Sequence, residues 1–279
     1  EQSMENQREN SHEERFSARI VPMLNLLYPG HTSEQLARQI FALLEGDVAV
    51  PSDTDTARWT ENDAILITYA DSLRGISGEE PIKTLTRFLD DYLRDTITGV
   101  HILPFFPFSS DDGFSVIDYL EVRDDLGTWE DVRHIANKYQ LMVDAVLNHI
   151  SAQSLWFKQF QRNEAPGNAY FVVVDPATDL SGITRPRSTP LLRPTETPSG
   201  TRHVWATFSA DQVDLNFENP DVLFEWIKIL LHYIHVGARI IRLDAIAYLW
   251  KQPETSSIHL QQTHEVVKLL RVILEWVNP

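Results

Sequence analysis

The fold is indicated first by a short apolar run that ends in charged side chains, Arg239-Ile240-Ile241-Arg242-Leu243-Asp244-Ala245. Residues two apart on a strand share a face, so the spacing predicts that Arg242 and Asp244 point the same way at the carboxyl end of a buried strand. A guanidinium within about 4–6 Å would hold the carboxylate ionised, as a carboxylate nucleophile requires. A purely structural ion pair fits the same spacing, and the residues alone leave both interpretations open.

Three further apolar runs of strand length precede this one, at 65–70, 100–103 and 141–147. A helical pattern follows each of the four runs, with starts near 81, 128 and 219 and a last amphipathic helix over 258–276. Thr128 and Asp131 have the spacing of a capping box, which marks one of these starts. Four strand–helix units in series predict a parallel sheet and an α/β fold.

The rest of the chain divides into three parts. Residues 1–14 are rich in Glu, Gln, Asn and Ser and predict a disordered tail, and residues 15–62 predict a helical extension with a linker. Residues 150–218 are a long insert after the third strand, with many Pro, Thr and Gly, which we interpret as an inserted subdomain. The ranges 63–149 and 219–279 remain for the sheet and its helices.

Polar side chains also follow the second and third runs. Asp144, Asn148 and His149 end the third, where a histidine could bind a hydroxyl group or simply be a satisfied strand-end residue. The loop 104–114 combines phenylalanines with Asp111 and Asp112, which suits a sugar because rings cover its C–H faces and carboxylates bind its hydroxyls. A packed surface loop is the alternative, although its aromatic residues would then be exposed without purpose.

Composition excludes several classes of function. Lys and Arg number 24 against 40 Asp and Glu, and a net charge of −16 makes nucleic acid an unfavourable partner. The sequence has no apolar run near the length of about 20 residues that a membrane helix needs and no signal-peptide pattern, so we expect a cytoplasmic protein without membrane contact. With no cysteine, no zinc-type histidine pattern and no glycine-rich phosphate loop, we expect no metal and no cofactor.

Two of these motifs together resemble the alpha-amylase superfamily, glycoside hydrolase family 13. A D-x-V-x-N-H pattern is present in Asp144, Val146, Asn148 and His149, and an R-x-D pattern in Arg242 and Asp244. Five stretches are similar to the sucrose phosphorylase subfamily, at 67–71, 99–114, 185–187, 204–214 and 241–248. The residues after Asp244 depart from the sucrose enzymes and look more like members that act on glucosylglycerate. The resemblance covers roughly 63–279.

The resemblance implies a fold, a reaction and a set of site residues. The fold would be the N-terminal half of a (β/α)8 TIM barrel, with about four βα units. The reaction would be phosphorolysis of an α-glucoside with retention, in which a glucosyl group passes to inorganic phosphate through a covalent intermediate. By the same resemblance, Asp244 would be the nucleophile and Arg242 would orient it. The ligands of the glucosyl ring would be Asp111, His149, Phe114 and Phe208. Gln212 would contact the acceptor side, and Tyr248 and Arg187 would receive phosphate.

A retaining glycosidase also needs a second carboxyl group about 5–5.5 Å from the nucleophile. In the family this general acid follows the fifth strand, whereas the present sequence reaches Pro279 on or just past the fourth helix. Glu275 lies at the wrong end of its unit to serve. We therefore expect a fragment that is inactive alone. An α-glucosidase or transglycosylase of the same superfamily, or a non-catalytic sugar-binding remnant, are the alternatives, and the acceptor and oligomeric state stay open.

Overall fold

The strands and helices follow the predicted order. The structure, a computed structural model, describes residues 2–44, 59–75 and 78–277, with side chains in the first helix from residue 12 onward. The elements in chain order are α1 (Gln2–Leu27), α2 (Ser33–Leu43), β1 (Ile65–Thr68), α3 (Pro81–Phe88), β2 (Gly99–Ile102), α4 (Trp129–Ala136), β3 (Gln140–Ala145), β4 (His149–Ser151), α5 (Leu155–Arg162), β5 (Leu192–Thr197), β6 (Gly200–Trp205), β7 (Gln212–Asp214), α6 (Pro220–Val236), β8 (Ala238–Leu243) and α7 (Gln261–Val277).

A four-stranded parallel sheet in the order β1-β2-β3-β8 confirms the predicted α/β fold. Residues of β2 and β3 such as Val100, Ile102, Leu141 and Val143 are almost fully buried, as expected for strands covered on both faces. Asp144 pairs in register with Arg242 of β8. The register therefore brings two of the predicted polar residues to the same end of the sheet.

Side-chain caps determine where two of the covering helices begin. Thr128 accepts the backbone N–H of Asp131, and Asp131 accepts that of Thr128, so the predicted capping box is confirmed. Asn219 caps α6 through the backbone N–H of Asp221. At the other end of α6, Gly237 has φ of 110°, and a Cβ there would lie 2.8 Å from the Cβ of Ala136. A glycine is thus required at the turn that starts β8.

The N-terminal helices pack on the outer side of the last two helices. The rings of Phe16 and Trp276 are 5.3 Å apart, and Arg19 forms an ion pair with Glu275. Tyr28 donates a hydrogen bond to the carbonyl of Phe217, just before α6. The helical extension is therefore attached to the domain along α6 and α7.

The predicted disordered tail was wrong for the described part of residues 1–14, because α1 begins at Gln2. This stretch contains no Gly or Pro and several good helix formers, and adding a residue to an existing helix costs far less than starting one. Its polarity indicated exposure, not the absence of a helix. Part of the predicted extension and linker at 15–62, residues 45–58, lies outside the described residues.

The long insert contains two small antiparallel sheets. β5 and β6 form a hairpin, and β7 pairs with β4 so that Asp214 lies opposite His149. A separate apolar cluster of the insert contains Trp205 and three aliphatic residues. The extent of the insert, 150–218, stays a prediction. The last helix begins at Gln261 rather than 258 because Ser257 and His259 have positive φ angles of 47° and 53°.

Among the residues that the structure describes, no helix is both long and apolar enough to cross a lipid bilayer.

Candidate active site

Three charged side chains meet at the carboxyl end of β3 and β8. The Arg242 guanidinium lies 3.2 Å from Asp244 Oδ1 and also forms an ion pair with Asp144 Oδ1. His101 Nε2 is 2.7 Å from the other oxygen of Asp144, which is fully buried. Asp144 thus holds the arginine from the side of the sheet, and His101 is a buried residue whose ring nitrogen is paired with Asp144. Arg242 is held in place while it contacts Asp244.

Asp244 is placed at a turn in the backbone. Its N–H still bonds to the carbonyl of Ala145, which continues the strand pairing by one residue. The next residue, Ala245, has φ of 52°, in the left-handed region that L-residues rarely adopt. The chain therefore leaves the sheet directly after Asp244, and its carboxylate lies at the end of β8 rather than inside the sheet.

The electrostatics of Asp244 differ from the prediction. Burial raises the pKa of this carboxyl above its ordinary value, and the Arg242 charge only partly opposes the rise. We predicted that the guanidinium would hold the carboxylate ionised, but desolvation is the larger effect. Ionised Asp244 is therefore a less stabilised, more reactive base than an ordinary ion-paired carboxylate.

This raised pKa predicts that Asp244→Asn stabilises the fold at neutral pH. In the unfolded chain Asp244 ionises at its ordinary pKa, whereas in the folded chain it does so at a higher pH, so stability falls as pH rises through the folded value. We expect the melting temperature of the variant at pH 7 to exceed that of the wild type.

Thermal unfolding between about pH 2.5 and pH 8 measures this effect. The gain should disappear as pH falls below the ordinary aspartate pKa of about 3.9, because both states are then protonated. Asp118→Asn is the matched control, since Asp118 is exposed and its carboxylate accepts only the N–H of Leu120. A loss of stability in Asp244→Asn at pH 7 would show that the ion pair with Arg242 outweighs burial.

His149 is buried beside this cluster in a defined tautomer. Lys251 Nζ lies 2.6 Å from Asn148 Oδ1, so the Asn148 amide group turns its NH₂ towards His149 Nδ1, at 3.3 Å. Nδ1 must then accept, and the protonated Nε2 donates to the carbonyl of Phe114 at 3.0 Å. Burial lowers the pKa of His149, which favours this neutral form. A neutral imidazole with a polar edge suits recognition of a hydroxyl group.

Gln212 lies between His149 and Asp111, and donates to Asp111 but not to the protonated His149 Nε2. Its Nε2 lies 2.9 Å from Asp111 Oδ2 and 3.3 Å from His149 Nε2, and Ser209 donates to its Oε1. Gln212 is almost fully buried between two of the predicted ring ligands, and its acceptor-side role stays a prediction. Arg187 lies 3.9 Å from Asp111 Oδ1 at the more exposed rim.

Aromatic rings form one wall of the same site. The Phe208 ring lies 5.0 Å from that of His149 and meets the Tyr248 ring edge-on at 5.4 Å. The Phe114 ring is 5.8 Å from the Arg242 guanidinium carbon. The structure therefore connects all nine predicted site residues into one cluster. Their individual roles stay predictions.

The sequence did not identify Lys251, which is buried at the back of the cluster. Its Nζ lies 2.8 Å from Asp214 Oδ2, and both side chains are almost inaccessible to solvent. Burial lowers the pKa of Lys251 and the Asp214 charge opposes this. Asp214 also accepts from Thr207 and Asn148. A lone lysine after a strand gives no sequence signal of burial, since lysines are usually exposed.

Glu275 is excluded as the second carboxylate, as predicted. It lies in α7, where Arg271 binds it at 2.7 Å and Arg19 of α1 at 3.3 Å. This contact is on the outer helical layer, and both arginines lower the pKa of the carboxyl against the opposing effect of burial. Glu275 attaches the N-terminal extension and takes no part in the cluster around Asp244.

Comparison with known proteins agrees with this arrangement. The family model described as "Alpha amylase, catalytic domain" matches residues 70–273. A glucosylglycerate phosphorylase of Spirochaeta thermophila is 50% identical over 267 residues, which are 94% of this chain and 45% of the relative. A sucrose phosphorylase of Streptococcus mutans is 35% identical over 214 residues, which are 72% of this chain and 43% of the relative.

A solved structure shows the same fold. The sucrose 6F-phosphate phosphorylase from Thermoanaerobacter thermosaccharolyticum superposes with a TM-score of 0.72 at 27% identity, over 80% of this chain and 47% of that one. The chain thus spans about half the length of the curated relatives it matches, and its sheet corresponds to part of a (β/α)8 barrel. Because the family model covers most of its residues, the chain belongs to the alpha-amylase family.

Proposed function

We propose that the protein containing this chain is a retaining α-glucoside phosphorylase with Asp244 as its nucleophile. The observation that carries the proposal is the Arg242–Asp244 pair, with 3.2 Å between its charged atoms, at the carboxyl end of a parallel strand in an alpha-amylase fold. In such barrels the carboxyl ends of the strands carry the active site. His149, Asp111 and the phenylalanine rings lie around the carboxylate, where they would bind a sugar.

Asp244 would attack the anomeric carbon of the bound glucoside from the face opposite the leaving oxygen. The bond to that oxygen breaks, the oxygen takes a proton from a general acid, and a β-glucosyl ester of Asp244 forms. A phosphate oxygen then attacks the same carbon, the ester bond breaks, and α-glucose 1-phosphate leaves. Two inversions give net retention. We expect the general acid in the part of the relatives that this chain does not match.

A glucosylglycerate is the substrate that the matches favour. The match to the glucosylglycerate phosphorylase leaves 6% of the 279 residues uncovered, which is about 17 residues. Helix α1 alone has 26 residues, so the uncovered part is too short to contain all of it. The N-terminal helices are therefore at least partly shared with that relative, whereas the match to the sucrose phosphorylase leaves 28% of the chain uncovered. Glycerate carries a carboxylate, which Arg187 at the rim could bind, as it could bind the incoming phosphate.

We further propose that the protein is cytoplasmic and needs no metal or cofactor. A cytoplasmic location is consistent with a chain of 279 residues that contains no cysteine. No step of the reaction requires a metal or cofactor, since Arg242, His149 and the second carboxyl group supply the charge and proton transfer.

The direct test is a phosphorolysis assay on a completed barrel. Residues 1–279 would be joined to the unmatched part of the Spirochaeta thermophila relative and supplied with glucosylglycerate, sucrose or glucosylglycerol. We expect phosphate-dependent α-glucose 1-phosphate from glucosylglycerate at the highest rate, and no turnover by residues 1–279 alone. Free glucose without any need for phosphate would identify a glucosidase instead. Sugar-dependent stabilisation without any chemistry would identify a non-catalytic protein.

A further inference from the structure

Asp211 lies at the centre of a ring of four serine hydroxyls. Ser109 and Ser110 each place Oγ 2.5 Å from Asp211 Oδ2, and Ser115 places it at 2.8 Å. Ser151 Oγ lies 3.4 Å from Oδ1. We call these four residues the serine collar. An ionised carboxylate only accepts hydrogen bonds, so it orients the hydroxyls of Ser109, Ser110 and Ser115. Ser109 in turn accepts from Ser151, whose Oγ lies 2.5 Å away.

The serine collar belongs to different loops. Three of its members are in the loop after β2, the fourth ends β4, and Asp211 itself lies just before β7 of the insert. The backbone joins the same junction, because Ala152 N–H donates to the Asp211 carbonyl at 2.8 Å. Burial raises the pKa of Asp211, but the serine hydrogen bonds lower it further, so the group stays ionised.

Three of the collar residues, and Asp211 itself, lie beside a predicted sugar ligand in sequence or on the same strand. Ser110 precedes Asp111, Ser115 follows Phe114, Ser151 shares β4 with His149, and Asp211 precedes Gln212. These neighbours are the ones that bond to each other, through Gln212 Nε2 to Asp111 and through His149 to the Phe114 carbonyl. The serine collar and Asp211 therefore connect the backbone segments that carry the predicted sugar ligands.

The loop after β2 needs such an attachment. Asp111, Asp112 and Gly113 have φ of 56°, 50° and 105°, a run of left-handed conformations that costs free energy at the two non-glycine positions. Ser109 and Ser115 close this turn by a backbone hydrogen bond of 3.0 Å, and both donate their hydroxyls to Asp211. The carboxylate thus holds both ends of the turn that presents Asp111.

We propose that Asp211 is a positioning residue of the sugar site: through the serine collar it fixes Asp111, His149 and Gln212 in one arrangement. This inference rests on the proposed function, because those residues are taken as the ligands of a glucosyl group. Asp211 itself does not touch the sugar. It determines the distances between groups that do.

The test compares Asp211→Asn with Asp179→Asn in the 279-residue chain. Both changes remove one carboxylate charge from the insert, but Asp179 accepts only from Ser181. Amide hydrogen exchange would be followed by mass spectrometry, together with binding of D-glucose. Asp211→Asn should speed exchange at least about tenfold in 107–116 and 149–153, leave α6 protected, and weaken glucose binding at least about fivefold. Asp179→Asn should match the wild type in both measurements.

Equal exchange in 107–116 for both variants, or unchanged glucose affinity in Asp211→Asn, would overturn the positioning role. If α6 also lost protection, Ser110→Ala would replace Asp211→Asn, since it removes one collar hydroxyl and keeps the charge. It should then weaken glucose binding while α6 stays protected, and unchanged affinity would overturn the proposal. If residues 1–279 bind no glucose, the binding measurement would be made on the completed barrel, and no binding there would count against the proposed function. The exchange rates would still decide whether Asp211 holds the loops.

Discussion

Asp244→Asn should lower phosphorolysis by the completed barrel at least about 10⁴-fold, because the amide cannot form the glucosyl ester. The fold should survive, since the amide is close to isosteric and its neighbour Arg242 keeps its ion pair with Asp144. Initial rates of α-glucose 1-phosphate release measure the effect. Asp118→Asn, an exposed acid in the same domain, is the matched control and should keep the wild-type rate.

A second variant separates the nucleophile from a structural role. Asp244→Gly leaves space for a small anion beside the anomeric carbon, and added azide should restore breakdown of the glucoside and give a glucosyl azide of β configuration. The configuration follows because azide would attack from the face that Asp244 occupies. Retention of more than about a tenth of the wild-type rate in Asp244→Asn would contradict the assignment.

Lys251→Met should cost about 3–5 kcal/mol of unfolding free energy, the usual loss when one partner of a buried ion pair is removed. The variant leaves the Asp214 carboxylate uncompensated, 2.8 Å from where the ammonium was, in a position with no solvent access. It also removes the contact of Lys251 with Asn148 Oδ1, so that Asp214 alone still orients the Asn148 amide group. Urea unfolding of the 279-residue chain measures the loss.

Lys268→Met is the control for this variant. Lys268 forms an ion pair of similar length, 2.7 Å, with Glu265, but its side chain is 60% exposed. Exposed pairs contribute about 0–1 kcal/mol, so this change should have little effect. A loss below about 1 kcal/mol in Lys251→Met would mean that Asp214 is neutral or reached by water, and that Lys251 does not hold the back of the site.

The elements that the sequence predicted best are those with local signals. The capping box at Thr128 and the start of α6 after Asn219 depend on residues within one helical turn, and both are present in the structure. The parallel sheet follows from the alternation of apolar runs with helical patterns. Because the connections between strand and helix are short, this alternation allows one topology. Helix ends without such signals were less certain, as the start of α7 shows.

The prediction of a disordered tail was wrong because a polar composition indicates exposure to solvent and does not by itself determine the backbone conformation. Residues 1–14 are polar, but they continue a helix whose apolar side, from Phe16 onward, packs on Trp276. The tail has helix formers and no Gly or Pro, which permit a helix, but the packing partner lies more than 250 residues away along the chain and is not evident from the tail. Tertiary contact stabilised the helix, and the tail extends it.

The sequence predicted which residues belong to the candidate site, but not the hydrogen bonds and ion pairs that connect them. Motifs at strand ends identified Asp244, Arg242 and His149, and the parallel register brought them together. The raised pKa of Asp244 depends on how completely neighbouring elements exclude water, which spacing does not encode. Lys251 and Asp211 were missed for the same reason, because their importance comes from burial and from partners far apart in sequence.

The most direct test of the central claim is to trap the covalent intermediate and find the residue that carries it. The completed barrel would be treated with 5-fluoro-α-glucosyl fluoride, whose good leaving group and ring fluorine allow the ester to form and slow its breakdown. After digestion at low pH, peptide mass spectrometry locates the label. We expect one fluoroglucosyl group on Asp244, and none in Asp244→Asn. A label on another carboxylate, or turnover of the fluoride without any labelled peptide, would contradict it.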